Sequence, residues 1–176
     1  MVTMLTISIL LAALYVGAAT WNRKELPDSV SAMVYDLPRS GQWLWIMWMW
    51  AVSLLTCIPL IDALPDGARV LGFATFASLM LCGAMPISDS TTNRRAHNAF
   101  GILGGVFSQA CVAVISPWWL TAWLLFVAIY GYDLLPSQNG RIYPSRWYDD
   151  KGIFLAEMIC AVAVFGSLLT RLAAMS

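Results

Sequence analysis

Along this chain, long apolar runs alternate with short stretches that hold nearly every charge. Crossing a hydrocarbon core of about 30 Å as a helix takes about 20 predominantly apolar residues. Six runs approach that length: Val2 to Thr20, Gln42 to Ile61, Val70 to Met85, Ala96 to Ile115, Trp118 to Leu135 and Ile153 to Arg171. The third is short for a span, and Leu64 to Arg69 is the stretch that would lengthen it on the far side. The pattern predicts an all-α, polytopic transmembrane bundle of six helices, with residues 1–176 forming a single domain. The first run carries small residues near its end, Gly17-Ala18-Ala19, as a signal-peptide cleavage site does. No basic residue precedes it, however, and secretory signals begin with positive charge. It is read as a permanent helix whose basic flank, Arg23 and Lys24, follows the span.

Between the first two runs, Pro27 to Pro38 has a periodicity of its own. Val30, Met33, Val34 and Leu37 recur at i, i+3, i+4 and i+7, the spacing of one helical face. Asp28 or Ser29 is placed to cap a short helix, and Pro38 to stop it. That helix would lie in the interface or fold back under the bundle. An irregular loop is the alternative reading.

Composition agrees with the membrane assignment: 60% of the residues are hydrophobic and 11% charged, against about 25% charged in soluble domains. The formal net charge is zero, so nothing points to nucleic acid as a partner. Cys57, Cys82, Cys111 and Cys160 each fall in a separate apolar run without metal-ligand spacing. They are read as small buried hydrophobes. No Gly-x-Ser-x-Gly elbow, His-Glu-x-x-His helix or phosphate-cradling Gly-rich loop occurs. A single histidine is too little for a zinc site or for two-histidine haem ligation. No cofactor is expected.

Orientation follows from lysine and arginine, which are retained on the cytoplasmic side in short loops. Eight of the ten basic residues lie in the loops after the first, third and fifth runs: Arg23, Lys24 and Arg39, then Arg94 and Arg95, then Arg141, Arg146 and Lys151. Only Arg69 and Arg171 belong to the other face. Both termini are therefore expected outside the cytoplasm. Trp43 and Trp45 open the second run, and Trp118 and Trp119 the fifth, where indole rings favour the headgroup region. Trp48 and Trp50 go deeper and are expected to pack between helices. Gly101 with Gly105, reinforced by Gly104, and Ala13 with Gly17 make small-xxx-small pairs that let helix backbones approach. They place the fourth run centrally in the bundle.

Ionisable groups inside a span are costly, about 2.5–3.5 kcal/mol at the centre on insertion scales. Glu157 lies four residues into the sixth run, His97 and Asn98 open the fourth, and Asp133, with Tyr130 and Tyr132, sits near the end of the fifth. All fall at the cytoplasmic face of the expected topology, as does Asp89 in the loop before Arg94 and Arg95. The candidate ligand-binding set is therefore Asp89, Arg94, Arg95, His97, Asn98, Asp133 and Glu157. One reading is a cytoplasm-facing cavity where Glu157, His97 and Asp133 converge, with the arginines at the rim presenting planar donors to phosphate oxygens. The plainer reading has Glu157 hydrogen-bonded to His97 or a tyrosine, with the arginines as topology signals. Ser88-Asp89-Ser90 near His97 has no spacing that fixes a nucleophile.

Leu81-Cys82-Gly83-Ala84-Met85-Pro86, the polar loop with Asp89, and His97-Asn98-Ala99-Phe100-Gly101 together resemble a pattern in small bacterial six-helix membrane proteins grouped with the DRAM and Frag-type family. The resemblance covers about one quarter of the chain. It implies a compact six-helix bundle in a bacterial inner membrane, with a role around membrane lipids. It carries over no catalytic residues; Asp89, His97 and Asn98 are the positions that match. Binding of a lipid headgroup or small amphiphile from the cytoplasmic side is the leading expectation. A membrane-embedded enzyme acting on a lipid is one alternative, with His97 and Glu157 or Asp133 as acid and base. Transport of a small solute or proton is another. Membrane lipids are the expected partners, and homo-oligomerisation or membership of a larger membrane assembly stays open.

Overall fold

The computed structural model describes residues 1–23, 26–85, 91–130 and 151–175. Every element among the described residues is helical. Helix α1 spans Val2–Arg23, α2 Trp43–Ala63, α3 Arg69–Ala84, α4 Thr91–Ile115, α5 Trp123–Tyr130 and α6 Gly152–Ala173. Five of these, with their 3-10 extensions, are long and apolar enough to cross a membrane. At 1.5 Å per residue the 22 residues of α1 rise about 33 Å. The third span gains its missing length from a 3-10 turn at Asp66–Ala68, as the sequence required, giving an apolar helical stretch of 19 residues. The fifth expected span is seen only in part: a 3-10 segment, Pro117–Ala122, leads into α5, and residues 131–135 lie outside the described residues.

Sequential helices pack as antiparallel neighbours from α1 to α4, and α6 then returns alongside α4. An added Cβ at Gly105 would meet Cys160 Sγ at 3.9 Å, and Gln109 Nε2 donates to the Cys160 carbonyl at 3.3 Å. Leu5, Leu60, Leu64, Cys111, Val112, Ala163, Val164 and Leu168 form the buried apolar core. These residues come from the start of α1 and the later halves of α2, α4 and α6, so the core lies toward the end that carries the termini. The opposite end gathers residues 26–42 and the starts of α2, α4 and α6. We call this the polar end. The sequence expectation put the fourth span at the centre; α4 does pack between α3 and α6, but α6 is the most enclosed helix. In its apolar window 44% of residues are buried, against 22% in α4.

Polar side chains clip neighbouring helices together, because in an apolar surround their alternative is to go unpaired. Ser8 Oγ bonds Thr56 Oγ1 at 2.7 Å, Trp48 Nε1 donates to the Leu11 carbonyl and Trp50 Nε1 to the Met80 carbonyl. Trp48 and Trp50 thus bridge α2 to both its neighbours, the role expected of the deeper tryptophans. Trp43 and Trp118 at the span ends are exposed, as interfacial anchors are, but Trp45 and Trp119, expected beside them, turn inward: Trp45 is buried and Trp119 packs against Gly166.

Candidate functional site at the polar end of the bundle

The segment between α1 and α2 folds back under the bundle. Its 3-10 helix, Ser31–Asp36, buries Met33 and Val34 almost completely. Ser29 Oγ accepts from the Ala32 amide at 3.0 Å, the capping role that the serine suggested, and Leu37 leaves in an extended conformation ahead of Pro38. The turn before it wraps the first turn of α6, where backbone N–H groups have no intrahelical acceptor. The Asp28 carbonyl accepts from the Phe154 amide at 3.2 Å, and the Asp28 carboxylate pairs with Lys151. Lys151 itself adopts a left-handed conformation, φ 65°, uncommon for a side-chain-bearing residue. At the other side of the cap, Arg23 Nε reaches Asp36 at 2.6 Å.

Glu157 belongs to this cap. Its Oε2 accepts from the Val30 amide at 2.5 Å, joining the second turn of α6 to a residue 127 positions away. The carboxylate that the sequence offered as a partner for His97 or a tyrosine is thus bonded to backbone. His97 has a separate task. It is 4% exposed, and its Nδ1 donates to the carbonyls of Met85 at 2.8 Å and Cys82 at 3.0 Å. These are carbonyls of the last turn of α3 and its C-cap, which lack intrahelical donors. Nδ1 therefore carries a proton, and Cys82 Sγ lies beside the ring at 3.6 Å. An added Cβ at Gly101 would sit 3.6 Å from the same sulfur. The two ends of the motif, Leu81 to Met85 and His97 to Gly101, are therefore packed on one another.

Helix α4 begins at Thr91, five residues before the apolar run that marked it. Arg94 and Arg95 therefore lie on this helix rather than in a loop, together with His97 and Asn98. His97 faces inward, whereas Arg94, Arg95 and Asn98 are exposed. Arg94 and Asn98 are spaced i, i+4 and Arg95 and Asn98 i, i+3, so they share one polar face. Neither arginine forms an ion pair with a described residue. Asp89 and Asp133 lie outside the described residues.

Two groups escaped the sequence reading. Gln109, in the middle of α4, donates to the Cys160 carbonyl and accepts from Trp123 Nε1 at 3.0 Å, tying α4, α5 and α6 together. A lone amide inside an apolar run was its available signal. The other is a groove of about 290 Å³ between α5 and the first half of α6, lined by Thr121, Ala122, Leu125, Leu155, Met158, Ile159 and Val162. Among the described residues its walls carry no ionisable group, and the one hydroxyl, on Thr121, is already bonded to the Trp118 carbonyl. Among the described residues no cluster of His, Cys, Asp and Glu has the makings of a metal site.

The fold and site define an all-helical bundle with several helices fit to span a membrane, closed at one end by a polar cap. Comparison with protein-family models, characterised proteins and known structures finds no match for this chain.

Proposed function

We propose that this chain is a six-span protein of the bacterial inner membrane that holds an anionic lipid headgroup at the cytoplasmic face, without chemistry of its own. The exposed face of Arg94, Arg95 and Asn98 carries this reading. At the same end of the bundle Arg23 and Lys151 are neutralised by Asp36 and Asp28, while Arg94 and Arg95 are exposed and form no ion pair with a described residue. Guanidinium groups present planar, bidentate donors suited to phosphate oxygens. The surplus of basic residues puts this end in the cytoplasm and the termini outside. Lipid binding is also what the resemblance to DRAM and Frag-type proteins implies. The enzyme and transport readings draw less support, since His97 and Glu157 are each engaged by backbone groups and not by one another.

The test is lipid retention by purified protein in detergent, where membrane topology no longer matters. With each basic group near an anionic surface contributing about 1 kcal/mol, Arg94→Ala/Arg95→Ala should retain phosphatidylglycerol about 10- to 30-fold less tightly in native mass spectrometry. Retention of phosphatidylcholine should not change. Equal retention of phosphatidylglycerol by both proteins would overturn the proposal.

A further inference from the structure

Near the polar end, α1 and α2 meet through three aromatic rings. Tyr15 stacks on Trp48 at 4.3 Å and 25°, and Trp45 tilts against both, 5.7 Å from Tyr15 and 5.1 Å from Trp48. The polar atoms of these rings have different fates. Trp48 Nε1 donates to the Leu11 carbonyl at 2.9 Å. Trp45 Nε1 and the Tyr15 hydroxyl are both buried and have no hydrogen-bond partner among the described residues, and Trp45 as a whole is 1% exposed.

An indole N–H can only donate, and a phenol is a good donor. Buried polar groups are nearly always paired, so two orphans in one cluster require an explanation. Both lack the same thing, an oxygen to accept from them. The described acceptor nearest in charge, the Asp36 carboxylate, is engaged through Oδ2 by Arg23 and makes no hydrogen bond to Tyr15.

Depth narrows the choice of acceptor. Trp45 is the third residue of α2, which places it within about 5 Å of the helix start, at the level where aromatic belts meet headgroups. Tyr15 and Trp48 are partly exposed on the flank of the bundle, so the two covered donors lie directly behind ring surface that faces the bilayer. At that level the acceptors to hand are water and the ester carbonyls of phospholipids.

We propose that the Tyr15–Trp45–Trp48 cluster is a binding site for one acceptor oxygen, supplied by a phospholipid ester carbonyl or by a water at the same depth. The site rests on the bilayer placement of α1 and α2 and is independent of the arginine face on α4.

Tyr15→Phe removes one oxygen and keeps the ring stack, so it tests the site without a large packing change. Losing a bond to a buried acceptor costs stability, whereas deleting an unpaired buried hydroxyl is neutral or favourable. Thermal unfolding of wild type and variant is compared in three states: delipidated in detergent, with a diester phosphatidylcholine, and with its diether analogue, which lacks the carbonyl. The zwitterionic headgroup keeps the outcome separate from that of the arginine pair. A Tm lower by about 2–6 °C for the variant with the diester lipid alone identifies a lipid carbonyl. The same deficit in all three states identifies water. A variant as stable as wild type, or more so, in every state overturns the proposal.

Discussion

His97 is a hydrogen-bond donor to the end of α3, and that placement governs what its loss would do. Alanine would leave the Met85 and Cys82 carbonyls without their donor inside the bundle, and a buried acceptor stripped of its partner costs about 1–3 kcal/mol. With the vacated ring volume added, His97→Ala should destabilise the protein by about 2–4 kcal/mol in reversible unfolding in detergent. Lipid retention by the folded fraction should stay at the wild-type level. Unchanged stability with lost retention would instead make His97 a headgroup ligand. Glu157 follows the same logic on α6: a carboxylate in a span looks functional from sequence, but here it anchors the amide of Val30 and holds the cap against the bundle.

At the scale of elements, glycines in the helices differ sharply in what surrounds them. A Cβ on Gly166 would fall 2.6 Å from three atoms of the Trp119 indole, whose Nε1 is fixed by Thr170. On Gly104 it would meet Leu79 Cδ2 at 2.9 Å, while on Gly17 it would meet nothing within 4 Å. Gly166→Ala should therefore cost about 1–3 kcal/mol through overpacking. Gly17→Ala should be neutral or stabilising, by up to about 1 kcal/mol from helix propensity. Unfolding midpoints of the two variants, measured side by side, check both signs. Equal effects would mean that α6 and the Pro117–Ala122 segment do not approach as closely as described. The small-residue pattern on α1, read as a contact, is open space at Gly17; on α4 the close approach is made by Gly104, with Gly101 and Gly105 in ordinary contact with sulfur.

For the whole molecule, antiparallel threading from α1 to α4 and the alignment of α6 with α4 bring the finish of α1 and the starts of α2, α4 and α6 to one end. The start of α1 and the finish of α6 share the other. Single cysteines introduced at exposed Ser40 and Met175 should therefore label on opposite sides of the membrane with an impermeant maleimide. Met175→Cys should react in intact cells, and Ser40→Cys only after permeabilisation. Labelling of both from one side would break the threading; the reverse order would put the arginine face outside and remove the cytoplasmic headgroup site.

The amino-acid sequence by itself determined the helical class, the apolar runs, of which five of the six expected are seen as long helices, and the grouping of charge between them. Hydropathy summed along a run and the side on which charged linkers fall are properties of consecutive residues. Apolar spacing, Ser29 and Pro38 are local signals that offered a short helix or an irregular loop after Pro27, and packing under the bundle decided for a 3-10 helix. The start of α4 was missed by five residues, since Thr91 to Arg95 are polar and a search for apolar runs cannot see a helix that projects beyond them. Which partner each buried polar atom takes was decided only in three dimensions. Val30 meets Glu157 across 127 residues, and His97 finds the open end of α3 rather than a carboxylate. A buried donor or acceptor pairs with whatever the packing of several helices brings within about 3 Å, and no spacing along one segment encodes that.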